Sequence, residues 1–167
     1  FTLTPQTFTP GAAPVAGYEG STFLRGITST QSAAGDYALF EQKIEDVRSF
    51  AGQNATVSFW AKAGTGAPKI GVELSQNFGS GGSPSATVTL TTSWARYSVS
   101  VAVPSLTGKT IGTTANTSYV EFNLWASAGS TLATRASSIG IQNNTFDLWG
   151  LQLEAGSTVT DFQTATG

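Results

Sequence analysis

Ala55-Thr56-Val57-Ser58-Phe59-Trp60-Ala61-Lys62-Ala63 alternates small or apolar residues with polar or aromatic ones. A period of two marks a strand with one buried face, because successive side chains of an extended chain point to opposite sides. Gly52-Gln53-Asn54 leads into the stretch as a turn, and Gly64-Thr65-Gly66 leads out of it. Segments on both sides alternate in the same way, so 55–63 reads as a central strand of a β-sandwich. Lys69–Gln76 puts Ile70, Val72 and Leu74 inward. Tyr119–Ala126 puts Val120, Phe122 and Leu124 on one face and Tyr119, Glu121, Asn123 and Trp125 on the other. Further strands are predicted at Ser21–Ser29, Tyr37–Glu45, Thr87–Thr91, Arg96–Val103 and Thr145–Glu154, with short ones at Phe1–Thr4 and Ser138–Ile141. Asp46–Phe50 reads as a single helical turn. Strands at regular intervals without a long helix give an all-β fold of two antiparallel sheets, and the long irregular connections suit a jelly roll.

Composition narrows the chemistry. The 167 residues suit one domain that buries its own core. With no Cys and no His, disulfides, thiolate and imidazole metal sites, and Ser-His-Asp or Cys-His catalysis are all excluded. Charged residues make up 11% and the net charge is −2, with Lys and Arg scattered rather than clustered. That pattern excludes an electrostatic nucleic-acid binder and a membrane-surface protein. No apolar run is long enough to cross a bilayer and no signal-peptide pattern is present. A chain that opens on Phe1 and has no Met reads as a module of a longer polypeptide.

Residues 1–20 hold three of the six prolines and read as an extended lead-in or linker. The sandwich is assigned to 21–162 and a polar tail to 163–167, with Phe162 placed to dock back on the sandwich.

Three segments together carry a resemblance: Gln42–Val47 with Gly52-Gln53 and Val57–Lys62, then Phe78–Ser85, then Trp149-Gly150-Leu151-Gln152-Leu153-Glu154-Ala155-Gly156-Ser157. The combination resembles carbohydrate-binding-like jelly-roll modules near the ends of bacteriophage tail-fibre, tail-spike and other virion appendage proteins. The closing Gln-Leu-Glu-Ala-Gly-Ser pattern is its most specific part. The resemblance implies a galactose-binding-like sandwich, an extracellular place on a virion, and host surface glycan and other virion proteins as partners.

A sugar site needs an aromatic plate for the apolar face of the ring and polar side chains for its hydroxyls. Strand parity offers one set. If Lys69–Gln76 and Tyr119–Ala126 share a sheet, then Trp125, Tyr119, Asn123, Glu121 and Glu73 face away from the core together. The alternative is that a loop covers Trp125 and the ring only packs. By the same parity Trp60 lies outward on the opposite sheet, packed under the lead-in or against a neighbouring chain. Trp149 is assigned to the core and Trp94 to a turn.

The glycine-rich loop 77–85 lacks the Gly-Lys-Ser/Thr ending of a phosphate cradle and reads as a rim or plain connection. No cofactor is implied, except that a structural calcium could draw oxygens from Glu19, Asp147 and Glu154.

The reading is a non-catalytic carbohydrate-binding-like module adsorbing to host surface polysaccharide. The main alternative is a structural virion domain that binds protein, which an obligate homotrimer would favour. A glycan hydrolase would need Glu73 and Glu121 facing each other across a cleft.

Overall fold

The computed structural model describes residues 1–19, 21–78, 82–113 and 118–163. Nine strands form: β1 (Thr2–Thr7), β2 (Thr22–Ile27), β3 (Tyr37–Glu45), β4 (Asn54–Ala63), β5 (Lys69–Asn77), β6 (Ser85–Thr89), β7 (Ala95–Ala102), β8 (Tyr119–Ala128) and β9 (Thr145–Ala155), with one 3-10 turn at Ser130–Leu132. They build a five-stranded sheet in the order β1-β2-β9-β4-β7 and a four-stranded sheet in the order β3-β8-β5-β6. Every pairing is antiparallel. The protein is an all-β jelly-roll sandwich.

The alternation of 55–63 does what its period requires. Ala55, Val57, Phe59, Ala61 and Ala63 are buried between the sheets, against Ile70, Val72 and Leu74 of β5 and Val120, Phe122 and Leu124 of β8. β4 is also interior to its sheet, flanked by β7 and β9. The expected strands at 37–45, 55–63, 69–76, 119–126 and 145–154 form, within one or two residues at their ends.

Several expectations are corrected. The short strand expected at Phe1–Thr4 forms and extends: residues 2–7 make β1 and pair along their length with β2, so this part of the lead-in is not linker. No strand forms at 138–141, and 46–53 is a run of tight turns with Asp46 and Phe50 at positive φ rather than a helical turn. Trp149 leaves the core because β9 carries an irregularity against β4 between Ser58 and Trp60, beside Gly150 at φ 64°. The extra residue reverses the parity of the strand. Trp149 therefore stands on the outer face of the five-stranded sheet, opposite Trp60. Of the loop 77–85, residues 79–81 lie outside the described residues, as do 164–167 of the tail.

That outer face carries its own aromatic layer. Trp149 packs against Phe8, Tyr18 and Phe162, with centroid distances of 5.6, 5.2 and 4.8 Å, and Trp94 against Phe8 and Phe23. Trp60 lies by Gly150 and Phe162, where a Cβ on Gly150 would press on both rings. The segment carrying Phe162 is fastened by Glu154, whose carboxylate accepts from the Thr160 hydroxyl at 2.5 Å and its amide at 3.3 Å. The hydroxyl bond holds the Glu154 carboxyl below the usual carboxylate range. A lowered folded value stabilises at and above the unfolded value, about pH 4.3, and the contribution is lost as pH falls through the folded value. Acidification below about pH 4 is therefore expected to release Phe162 from Trp149, read as a tryptophan emission shift ahead of global unfolding. In Glu154→Gln that acid step should be absent.

Candidate functional site

The pairing of β5 with β8 sets Glu73 opposite Asn123, Ser75 opposite Glu121 and Asn77 opposite Tyr119. β3 adds Glu41, Lys43 and Glu45 opposite Asn123, Glu121 and Tyr119. Because Val72, Leu74, Phe122 and Leu124 fill the core, all of these face outward on the four-stranded sheet. The structure thus brings together all five residues that strand parity singles out.

It then covers part of that face. The segment after β8, starting with the Ser130–Leu132 turn, crosses the sheet at Trp125 and Gly71. Trp125 packs with Ala128, Ala136 and Ile139, and with Leu39 and Leu132 at its margin. A Cβ on Gly71 would run into the Ala136 carbonyl oxygen, so only glycine lets the segment lie this close. Parity offers Trp125, Asn123 and Glu73 to a ligand. The structure instead leaves Trp125 1% exposed and Asn123 and Glu73 with no exposure.

The polar groups beneath the cover form one network. Glu73 accepts from Arg135 at 2.9 and 3.0 Å, from Asn123 Nδ2 at 2.8 Å and from Trp125 Nε1 at 3.2 Å. Arg135 also donates to Glu121 at 3.2 Å and lies 5.4 Å from the Trp125 ring centroid. The hydrogen bonds it donates to Glu73, aided by the charges of Glu73 and Glu121, hold the Arg135 guanidinium above its ordinary value despite its burial. Two carboxylates converge on one guanidinium, so Glu73 and Glu121 do not flank an open cleft as glycosidase acids would.

Beyond the cover, side chains of the face reach solvent. Tyr119 and Glu121 are half-buried, while Glu41, Lys43 and Glu45 are exposed. The Tyr119 hydroxyl accepts from Asn77 Nδ2 at 2.8 Å, and Lys43 Nζ stands 4.8 Å over its ring. Sequence reasoning missed Arg135, since 129–140 has no periodicity to place it. A lone Arg between two small-residue runs was its only signal.

The calcium expectation fails on geometry. Asp147 is engaged by Arg25 at 2.7 and 2.9 Å, Glu154 by Thr160, and Glu19 by the Gly17 amide. Among the described residues no group of three metal-ligating side chains assembles.

No protein-family model matches the sequence, and no curated protein matches it. Solved structures do. A CBM4 carbohydrate-binding module is 19% identical over 81% of this chain and 71% of that chain, with a TM-score of 0.51. A structure from Bacteroides thetaiotaomicron VPI-5482 is 10% identical over 92% of this chain and 81% of that one, also at 0.51. The enzymatically active domain of tailspike protein 4 from bacteriophage CBA120 is 13% identical over 92% of this chain and 19% of that chain, at 0.48. The sandwich shares its jelly-roll fold with the CBM4 module. At these identities the likeness establishes the fold.

Removing Arg135 would strand a carboxylate that has no access to water. Breaking a buried pair costs about 3–5 kcal/mol, and the 40% exposure of the Arg135 side chain sets the expectation for Arg135→Ala at the low end of that range. Arg135→Met with Glu73→Gln should recover part of the loss. Urea denaturation of the double-mutant cycle checks this; additive losses would mean that the pair does not hold the segment down.

Proposed function

We propose that this chain is a non-catalytic glycan-binding domain whose ligand lies along the uncovered rows of the four-stranded sheet. The observation that carries the proposal is the arrangement around Tyr119. An aromatic ring stands at the open end of the face with Asn77, Lys43 and Glu121 fixed about it by strand register. A pyranose needs that combination: apolar area for its C–H face and polar side chains held in place for its hydroxyls. Trp125, Asn123 and Glu73 enter as the floor that holds Glu121 and Arg135 in position. The fold, shared with a carbohydrate-binding module, agrees with this reading. From the resemblance of the closing segment we further propose that the domain sits on a virion appendage and adsorbs to host surface polysaccharide, with many copies compensating for weak single sites.

The test is binding of the domain to a glycan array and to whole bacterial cells, beside Tyr119→Ala. A stacked aromatic anchor is worth about 2 kcal/mol on truncation, so affinity should fall about thirtyfold with the circular dichroism spectrum unchanged. No binding to any glycan at multivalent display would sink the proposal.

A second reading rests on a different surface. The five-stranded sheet exceeds its partner by one strand, and Phe1, Leu3, Leu24 and Leu151 are exposed on the overhanging side. They adjoin a cavity of about 230 Å³ that opens between the sheets, lined by Leu24, Phe40, Phe59, Phe122, Leu124 and Leu148 with Glu41 and Gln42 at its edge. An apolar patch of this kind fits a contact between copies, as a fibre or decoration protein would make. On this reading light scattering gives a homotrimer, and Leu24→Glu reduces it to folded monomers. A monomer at all concentrations removes it.

A further inference from the structure

The charge of this protein is not spread evenly. Four of its ten acidic side chains, Glu41, Glu45, Glu73 and Glu121, stand with two of its eight basic ones, Lys43 and Arg135, around the open rows of the four-stranded sheet. The six acidic and six basic residues elsewhere cancel, Lys69 at the far end of β5 on the same sheet face among them, so the surplus of two carboxylates lies in these rows. Both cations stand beside carboxylates. Arg135 donates through Nε and Nη2 to Glu73 and Glu121. Lys43 lies 3.9 Å from Glu41 and over the Tyr119 ring.

Surplus carboxylates ask for O–H or N–H donors on whatever binds beside them.

We propose that this face selects saccharides without acidic groups: it takes sugars that present hydroxyl or ammonium donors and rejects those carrying uronate, sulfate or phosphate. The inference rests on the glycan-binding reading. Recognition of an anionic sugar is strongest with an Arg or Lys in a two-pronged geometry, and both cations here are outnumbered by the carboxylates beside them. Mutual repulsion adds to the discrimination without closing the face to neutral ligands.

The experiment is calorimetric titration of the intact chain with backbone-matched pairs: oligogalactan against oligogalacturonate, dextran against dextran sulfate, and chitin against chitosan oligosaccharides. The uncharged member of the first two pairs should bind about tenfold tighter than the acidic one, the scale of two surplus charges acting over several ångströms of water. Chitosan should bind at least as well as chitin. The gap should narrow as salt rises from 50 to 500 mM, because exposed charges are screened, and it should narrow again in the Glu41→Gln, Glu45→Gln double variant. Acidic partners binding as tightly as their neutral counterparts would overturn the inference and leave glycan binding intact. Absence of binding across all six probes and the array would overturn both.

Discussion

The carboxylate of Glu73 has no contact with solvent, and the outer half of this molecule is arranged around that fact. A charge taken from water must be neutralised and its lone pairs filled, or it costs several kcal/mol. Here the guanidinium of Arg135 supplies the charge, and Asn123 and Trp125 fill the remaining positions. Only one of the three partners lies outside the two sheet strands: Arg135, in the segment that follows β8. Holding Glu73 in place therefore means holding that segment across the sheet, and its apolar side chains Ala136 and Ile139 then exclude water from Trp125. Ion pair and cover are one device, each making the other tenable.

The two sheets solve the same problem by different means. A sandwich has two outer faces, and a chain with so few charged residues cannot leave both as open apolar surface. On the five-stranded sheet the chain ends do the covering: Phe8 and Tyr18 come from the N-terminal side, Phe162 from the C-terminal side, and they enclose Trp149. Asp147, nearly buried in the same face, is matched by Arg25 in a two-pronged pair with Lys62 at 4.0 Å. On the four-stranded sheet an internal loop does it, and only partly. Among the described residues, the rows at Tyr119 and Glu121 keep partial exposure, and the candidate site falls at that end.

Much of this was legible from periodicity alone. The alternation in 55–63, 69–76 and 119–126 assigns strand, face and core together, since one residue of slip would turn the whole set outward. That Glu73, Glu121, Asn123 and Trp125 converge follows from parity once β5 and β8 are neighbours. Parity fails where the period is interrupted. In β9 the irregularity beside Gly150 reverses the strand, and Trp149 moves from expected core to outer face. β1 was legible as a short strand at Phe1–Thr4, and it runs on through Pro5, which is tolerated because β1 is an edge strand, paired on one side. The cover over Trp125 was beyond reach, because a loop's path is set by contacts it makes at long range. Ser137 and Ser138, consecutive at φ 55° and 57°, give no hint of that geometry in their identity.

The partial cover bears on what the open rows can recognise. A loop that buried the whole face would leave a scaffold with no site, and a bare sheet would offer Trp125 and a mobile set of polar chains. The structure stands between these. Glu121 is half-buried and shares Arg135 with Glu73, so its carboxylate is oriented before any ligand arrives. Tyr119 is likewise positioned by Asn77 through its hydroxyl. Side chains fixed in advance lose little freedom on binding, which lets a shallow face of few residues discriminate among ligands it holds only weakly. The buried ion pair thus reaches function through its neighbours: it touches no ligand, and it determines where the groups that would touch one can stand.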